Sequence, residues 1–320
     1  MFRKISPYFY VIPAFIIIIS FRLIPIVFSF FVSFFEWNIQ GPGGFVGLEN
    51  YVKLLSDREF WQSMINTFWL VIFVVPLTLV LSLFFANLLN GIKKLRGLFR
   101  TIYFIPVVTS MVAISIVWKL IFNQQTGLAN YLLNKIGLEG LAWLSESRGV
   151  FDLILRNVGL NLNEIFSERL VYSIFGGPSL ALFCIIIVSV WKSLGYNTII
   201  YLAGLQNIPK VYYEAADIDG ANRFKKFFNI TLPLVSPTTY YVLMMTTITT
   251  FQVFSQIYLM TGPPIGGPLG TTKVIVYYIF EKGYEVQDIS YASAIALILF
   301  IIILTLTLLQ RKFEKKVHYK

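Results

Sequence analysis

Long apolar segments alternate with shorter polar ones along most of the chain. Each apolar segment is near or above the ~20 residues that a helix needs to cross the hydrocarbon layer of a membrane. They lie at about 9–35, 66–90, 101–122, 179–202, 234–260 and 290–310. The pattern predicts an all-α polytopic membrane protein with six transmembrane helices, forming a single transmembrane domain over residues 1–320.

The composition supports a membrane protein. Hydrophobic residues make up 57% of the 320 residues and charged residues only 13%, whereas soluble domains carry about 25% charge. The first apolar segment follows Arg3 and Lys4, as in a signal peptide, but it lacks a small-residue cleavage site. We therefore expect a retained helix.

The distribution of lysine and arginine predicts that both termini are cytoplasmic. With that orientation the inner segments carry 15 basic residues, and the outer segments, although longer, carry 8. Such an excess is typical of cytoplasmic loops. This orientation places 203–233 in the cytoplasm and 36–65, 123–178 and 261–289 outside.

The outer segment 123–178 is long enough to fold, and we expect it to form an outer cap. Within it, 145–175 has mixed polarity and amphipathic runs that predict short helices at the membrane interface. Those runs contain Val150, Phe151 and Ile154, and then Ile165, Phe166 and Leu170. An ordinary insertion without a role explains the same segment equally well.

Several functional classes are disfavoured by what the sequence lacks. The net charge of +10 follows from the membrane topology, so we expect no nucleic-acid partner. Cys184 is the only cysteine and His318 the only histidine, which leaves no Cys/His metal cluster and no His-dependent triad. The dipeptide Gly-Lys of a P-loop is absent, so we expect no enzyme activity and no cofactor in this chain alone.

The polar segment 207–233 is the most informative part of the chain. Pro209 suits the first turn of a helix, and Gly220 is placed to end that helix in a left-handed turn. Between them, Val211, Ala215 and Ile218 recur at helical spacing. The predicted helix has roughly 11 residues and a length of about 16 Å.

The residues after Gly220 predict a second helix, at the membrane surface. Basic residues alternate there with aromatic ones, which suits a helix whose basic face meets lipid headgroups. They are Arg223, Lys225 and Lys226 with Phe224, Phe227 and Phe228. A helix that only links two spans would have a similar composition.

The spacing of seven residues identifies a family. Glu214, Ala215, Ala216, Gly220, Ile230, Leu232 and Pro233 fit the pattern E-A-A-x(3)-G-x(9)-I-x-L-P. This pattern resembles the signature of permease subunits of binding-protein-dependent ABC importers, and the surrounding residues resemble the carbohydrate-uptake class. GLFRTIYFIP at 97–106 and TGPPIGGPLGTT at 261–272 are also similar to segments of that family.

The resemblance implies a mechanism and a set of partners. In this family the Glu-Ala-Ala helix is a coupling helix that sits in a cleft of a cytoplasmic ATPase. The implied partners are a second permease subunit, two ABC ATPase subunits that use ATP and Mg, and an extracytoplasmic solute-binding protein. The implied substrate is a sugar or a polyol phosphate, and the implied location is the prokaryotic cytoplasmic (inner) membrane. The residues expected to couple to the ATPase are Glu214, Ala215, Ala216, Asp217, Gly220, Leu232 and Pro233.

Candidates for the substrate path come from polar residues inside the predicted spans, because such residues tend to face the bundle interior. Thr249, Gln252 and Gln256 share one face of a continuous helix, with Thr250 and Phe254 nearby. The alternative is that these side chains serve their own backbone or join helices. Lys192 could contact an anionic substrate, or instead face an inner cavity or snorkel. The 261–272 loop is either a tight turn or a contact for substrate or binding protein.

Two other functions are alternatives to an importer subunit. A proton-coupled secondary transporter usually carries Asp or Glu inside the membrane, and the six predicted spans contain none in their interiors. Sodium coupling through backbone carbonyls stays open. A membrane-embedded enzyme or assembly factor would need a cluster of catalytic residues, and none is evident.

Overall fold

The structure is a computed structural model that describes residues 2–91, 96–156, 158–166 and 168–313. Several of the basic residues that predict the orientation lie outside these ranges, namely Lys93, Lys94, Lys315, Lys316 and Lys320, as does His318. The described chain is mainly helical. It divides into two compact units, residues 1–60 with 278–302 and residues 61–277 with 303–320.

The N-terminal helix contains a wider turn. Helix α1 (Phe2–Ile18) passes through a π-helical turn (Ile19–Leu23) into α2 (Ile24–Val32). Pro25 lies in the first turn of α2 and has no N–H to offer the preceding turn, which accounts for the wider turn there.

The described chain is mostly helical, as predicted, but a short hairpin follows α2. Strands β1 (Phe35–Asn38) and β2 (Gly41–Phe45) pair antiparallel, with Trp37 opposite Pro42. Gly41, the first residue of β2, has φ of +115°, a backbone region that favours glycine. The first predicted span therefore ends at Val32 rather than at residue 35.

The remaining helices follow in chain order. From the hairpin to the middle of the chain they are α3 (Glu49–Ser56), α4 (Arg58–Gly91), α5 (Arg96–Val108), α6 (Met111–Ile121), α7 (Leu128–Lys135), α8 (Val150–Arg156), α9 (Leu162–Ile165), α10 (Arg169–Phe175) and α11 (Leu180–Gln206). The rest are α12 (Lys210–Ile218), α13 (Arg223–Lys226), α14 (Leu232–Leu234), α15 (Ser236–Phe251), α16 (Ser255–Met260), α17 (Ile275–Phe280) and α18 (Ile289–Phe313).

Among the described residues, four helices are long and apolar enough to cross a membrane. They are Tyr10–Val32, Arg58–Gly91, Leu180–Gln206 and Ile289–Lys312. A fifth span is formed if the pair α5 and α6 counts as one, although its two helices are bent by 104°.

The predicted spans 101–122 and 234–260 are not continuous helices. The first bends between Val108 and Met111, and the second is interrupted between Phe251 and Ser255. Apolar composition alone gave no sign of either break.

The first unit is organised around Asp57. Its carboxylate accepts hydrogen bonds from the hydroxyls of Tyr278 and Tyr291, and from the backbone N–H of Glu59 at 2.9 Å. The last of these bonds starts α4, because Asp is a favoured residue immediately before a helix. Lys53 lies over the ring of Tyr291, 4.7 Å from its centroid.

Helix α11 is the most buried long helix of the second unit that the structure describes, with 61% of its most apolar 18-residue window inside the molecule. Two glycines let it approach its neighbours closely. A Cβ on Gly195 would lie 1.9 Å from the backbone oxygen of Tyr103 in α5, and one on Gly204 would lie 2.3 Å from Oγ1 of Thr238 in α15. Small residues at helix crossings are typical of membrane bundles.

The segment 123–178 contains the short helices α7, α8, α9 and α10. Asp152 is fully buried there and accepts hydrogen bonds from the backbone N–H of Leu162 at 2.7 Å and from the hydroxyl of Tyr172 at 3.2 Å. Arg156 lies 3.5 Å from the same carboxylate. One buried charge thus connects three of the short helices.

Candidate functional site

The candidate site is α12 and the turn after it. Helix α11 ends at Gln206, and only residues 207–209 separate it from α12. Pro209 has an extended backbone, with φ of −60° and ψ of 133°, so it stands at the cap position rather than inside the first turn. The helix therefore begins one residue later than predicted.

Gly220 ends α12 in the way its sequence position predicted. Its φ is +71°, in the left-handed region. The N–H of Ala221 donates to the carbonyl oxygen of Ala216 at 2.9 Å, and the N–H of Gly220 donates to that of Asp217 at 3.1 Å. This pair of bonds is the Schellman motif, which satisfies carbonyl groups at a helix end.

The chain then starts a new helix at once. The side chain of Asn222 accepts a hydrogen bond from the N–H of Lys225 at 2.9 Å and so caps α13. A π-helical turn (Phe227–Thr231) leads on to α14, where Pro233 lies in the first turn. Asn222 before a basic run is a helix-start signal that the sequence analysis missed.

Side-chain contacts across the turn hold α12 against the following segment. The ammonium of Lys226 pairs with the carboxylate of Asp217. The hydroxyls of Tyr213 and Thr231 lie 2.9 Å apart. Tyr213 also packs against a buried apolar cluster that includes Leu205. The structure thus adds Tyr213, Thr231 and Lys226 as residues that position α12.

The opposite side of α12 is open. Ile218 is 89% exposed and Val211 61% exposed, while Ala216 is only 9% exposed. Glu214 and Ala215 are exposed as well. The helix therefore turns Ala216 inward and presents an apolar stripe beside a carboxylate. An unpartnered stripe of this kind is typical of a docking surface.

The predicted substrate-path residues do not share one continuous face. Helix α15 ends at Phe251, Gln252 forms its C-cap, and α16 begins only at Ser255. The seven-residue spacing from Thr249 to Gln256 therefore crosses the interruption. Breaks in transmembrane helices are tolerated where the backbone is buried in protein or lines a water-filled cavity.

The individual candidates also differ in their surroundings. Gln252 and Thr249 are exposed and Gln256 is half-buried. Thr250 is 4% exposed, and its hydroxyl donates to the carbonyl oxygen of Thr246 at 2.7 Å. Its arrangement matches the alternative interpretation, in which the hydroxyl serves its own helix. Phe254 stacks on Tyr258 with ring centroids 5.5 Å apart.

Lys192 is held by backbone oxygens in the structure. Its ammonium lies 2.8 Å from the carbonyl oxygen of Pro106 and 2.7 Å from that of Thr109. Both acceptors lie at the bend between α5 and α6. The carbonyl oxygen of Val107 is a third acceptor, 3.4 Å from this ammonium.

Comparison with known proteins identifies the family. The model of the family described as "Binding-protein-dependent transport system inner membrane component" matches residues 78–319. The chain belongs to this family. It is therefore a membrane-embedded permease component that works with a binding protein.

Relatives along the whole chain agree with this assignment. The chain is 34% identical to "Probable ABC transporter permease protein YurN" of Bacillus subtilis, over 98% of this chain and 97% of the relative. It is 33% identical to the "Arabinooligosaccharides transport system permease protein AraP" of the same organism, over 98% and 89%. These relatives favour an ABC importer permease over a secondary transporter. They also confirm that the chain is not an enzyme by itself, since the ATPase is a separate subunit.

A solved structure shows the same fold. A chain in "Crystal structure of bacterial alginate ABC transporter in complex with alginate pentasaccharide-bound periplasmic protein" superposes with a TM-score of 0.76, covering 99% of this chain and 97% of that one. The two sequences are 22% identical.

Proposed function

We propose that this chain is one of two permease subunits of an ATP-driven sugar importer. A second permease subunit completes the translocation path. Two ABC ATPase subunits bind ATP and Mg in the cytoplasm, and a solute-binding protein delivers sugar from outside. The chain crosses the membrane six times, with both termini in the cytoplasm. The bent pair α5–α6 and the interrupted α15–α16 count as one crossing each.

The observation that carries this proposal is the exposed side of α12. Ile218 and Val211 lie open, whereas Tyr213 and Lys226 tie the other side to the rest of the chain. A short rigid helix with an apolar stripe is suited to a partner's groove. Glu214 is exposed and can pair with basic residues of the ATPase, whereas the carboxylate of Asp217 already pairs with Lys226. We assign coupling contacts to the exposed Glu214 and Ala215, while the inward-facing Ala216 packs α12 against the chain and Gly220, Leu232 and Pro233 shape the backbone around them.

The substrate is proposed to be a neutral sugar. AraP, the relative of known substrate reported above, is named for arabinooligosaccharides. Lys192, the residue that could favour a phosphate, already donates to backbone carbonyls. Gln252, Gln256 and the stacked ring of Phe254 offer the amide and aromatic groups that bind sugars.

The proposal is tested by docking of the ATPase. The chain is co-expressed with the second permease and the ATPase, with an affinity tag on this chain. Ile218→Asp places a charge on the open stripe, and we expect at least a tenfold loss of co-purified ATPase because a buried unpaired charge is costly. Ile136→Asp is the matched control, since Ile136 is 71% exposed in the outer cap. Equal ATPase recovery with both variants would contradict the assignment of α12.

Transport is tested on the same complex in liposomes. Liganded binding protein should stimulate ATP hydrolysis, and Gly220→Pro should abolish both stimulation and uptake. The binding protein is screened by thermal shift against maltose, arabinooligosaccharides and glycerol 3-phosphate. A shift only with glycerol 3-phosphate would overturn the choice of a neutral sugar and leave the ATPase assignment intact.

A further inference from the structure

Lys192 and Gly195 lie one turn apart on α11, and both contact the end of α5. The ammonium of Lys192 lies within 3.4 Å of the carbonyl oxygens of Pro106, Val107 and Thr109. One turn along, the absence of a side chain at Gly195 lets α11 touch the backbone of Tyr103. The end of α5 is therefore fixed to α11 by one charged contact and one close backbone approach.

The chemistry of a helix end explains why a lysine is needed there. The last four carbonyl groups of a helix have no N–H partner within that helix. In α5 these groups precede a 104° turn into α6, so α6 does not supply the missing donors. In a membrane such groups must find partners within the protein. An ammonium has three donors, and its positive charge also complements the negative end of the helix dipole.

The same helix leads directly to the docking segment. Residues 207–209 join α11 to α12, and Leu205 and Ile208 at this junction belong to the buried cluster that Tyr213 packs against. A movement of α12 is thus passed to α11 through a packed junction rather than a loose linker. Through Lys192 it also reaches the bend between α5 and α6.

We propose that Lys192 is a positioning residue that holds the α5–α6 bend, so that α5 and α11 move with α12 as one body. The role in transport rests on the proposed function. The fixing of the bend does not, because it is a property of this chain that is measured directly. Removing the ammonium should leave the carbonyls at the bend without donors, and the two halves of the span should then vary in angle.

The bend is measured by electron paramagnetic resonance on the purified importer complex. Thr101→Cys and Leu120→Cys carry spin labels at exposed positions on either side of the bend, in a Cys184→Ala background. A straight helix would separate these residues by about 29 Å, and the bend shortens that separation. We expect one narrow distance in the unmodified chain, and a broader distribution shifted towards the straight value in Lys192→Met.

Two further variants serve as matched comparisons. Lys192→Arg keeps several donors and should keep the narrow distance. Lys135→Met makes the same substitution at an exposed lysine of the cap and should change nothing. If Lys192→Met does not accumulate, Lys192→Gln replaces it, since its shorter amide reaches fewer carbonyls and should give an intermediate broadening. An unchanged distribution in Lys192→Met or in Lys192→Gln would overturn the proposal.

Kinetics separate a positioning role from substrate contact. If Lys192 fixes the bend, Lys192→Met should lower the transport kcat by about tenfold, while KM should change less than about twofold. Lys192→Arg should recover most of that loss. A raised KM at unchanged kcat would overturn the proposal in favour of direct substrate contact. If the unmodified complex transports no sugar at all, the proposed function is contradicted. The distances between the spin labels would still decide the role of Lys192.

Discussion

The hydroxyl of Tyr213 in α12 lies 2.9 Å from Oγ1 of Thr231, at the end of the π-helical turn that precedes α14. With the ion pair between Asp217 and Lys226, it joins the two arms of the turn at Gly220. Helix α12 is therefore held against the segment that leads to α14 and α15. This connection explains how a helix of nine residues, too short to be stable alone, can present a fixed surface.

The Tyr213–Thr231 bond should be measurable by a double-mutant cycle. Tyr213→Phe and Thr231→Val each remove one partner, and each should lower the free energy of unfolding by about 1 kcal/mol. The double variant should cost no more than the larger single one, because both lose the same bond. Thermal unfolding of the purified complex gives the values. Additive effects would show that the two hydroxyls do not interact.

Glycines at two positions should respond differently to alanine. Gly220 has φ of +71° and no atom within 4 Å of an added Cβ, so Gly220→Ala should cost only the backbone strain, about 1 kcal/mol. Gly220→Asn should cost less, because asparagine tolerates this conformation. In Gly195→Ala the new Cβ would meet the backbone of Tyr103 at 1.9 Å, and helix α5 must shift. In thermal unfolding, the Tm of Gly195→Ala should be well below the Tm of Gly220→Ala. The reverse order would contradict the close packing of α11 against α5.

Acid should weaken the first unit through Asp57. Burial raises the pKa of this carboxyl, but hydrogen bonds from Tyr278, Tyr291 and two backbone N–H groups outweigh burial and lower the pKa below its ordinary value. Stability from the carboxylate is then complete above the unfolded pKa of about 3.9 and is lost as the pH falls through the lower folded pKa.

The measurement is the difference in Tm between the unmodified chain and Asp57→Asn from pH 7 to pH 3. This difference should be constant above about pH 5 and should shrink below it. Tyr278→Phe removes one donor and should move the loss to higher pH. A difference that stays constant down to pH 3 would show that Asp57 does not contribute through its charge.

Two neighbouring polar residues of the interrupted span should separate a path residue from a structural one. Gln252 is exposed at the break, and Gln252→Ala should raise the transport KM by at least fivefold, about 1 kcal/mol of lost sugar contact. Thr250→Val should leave KM unchanged, because this buried hydroxyl already donates to Thr246. Uptake of labelled sugar into proteoliposomes measures both. An equal response would contradict the placement of the path at the break.

Part of the candidate site could be predicted because its signals are local. A glycine that must take a left-handed turn and an apolar repeat between Val211 and Ile218 are both visible in the sequence. The residues that hold α12 in place are not, because Tyr213 and Thr231 are eighteen residues apart and meet only when the turn is formed. The backbone contacts of Lys192 could not be predicted for the same reason, since its acceptors lie more than 80 residues away.

The sequence by itself determined the class of the protein, the family to which it belongs and the position of the proposed coupling segment. These depend on composition and on short-range spacing, and both are set by the chemistry of neighbouring residues. Only the tertiary structure decided where two of the apolar segments break, which side of α12 stays open, and that Lys192 serves a helix end. Those features depend on which backbone groups lack a local partner and on which distant side chains pack against them. Neither can be read from one short segment of the sequence.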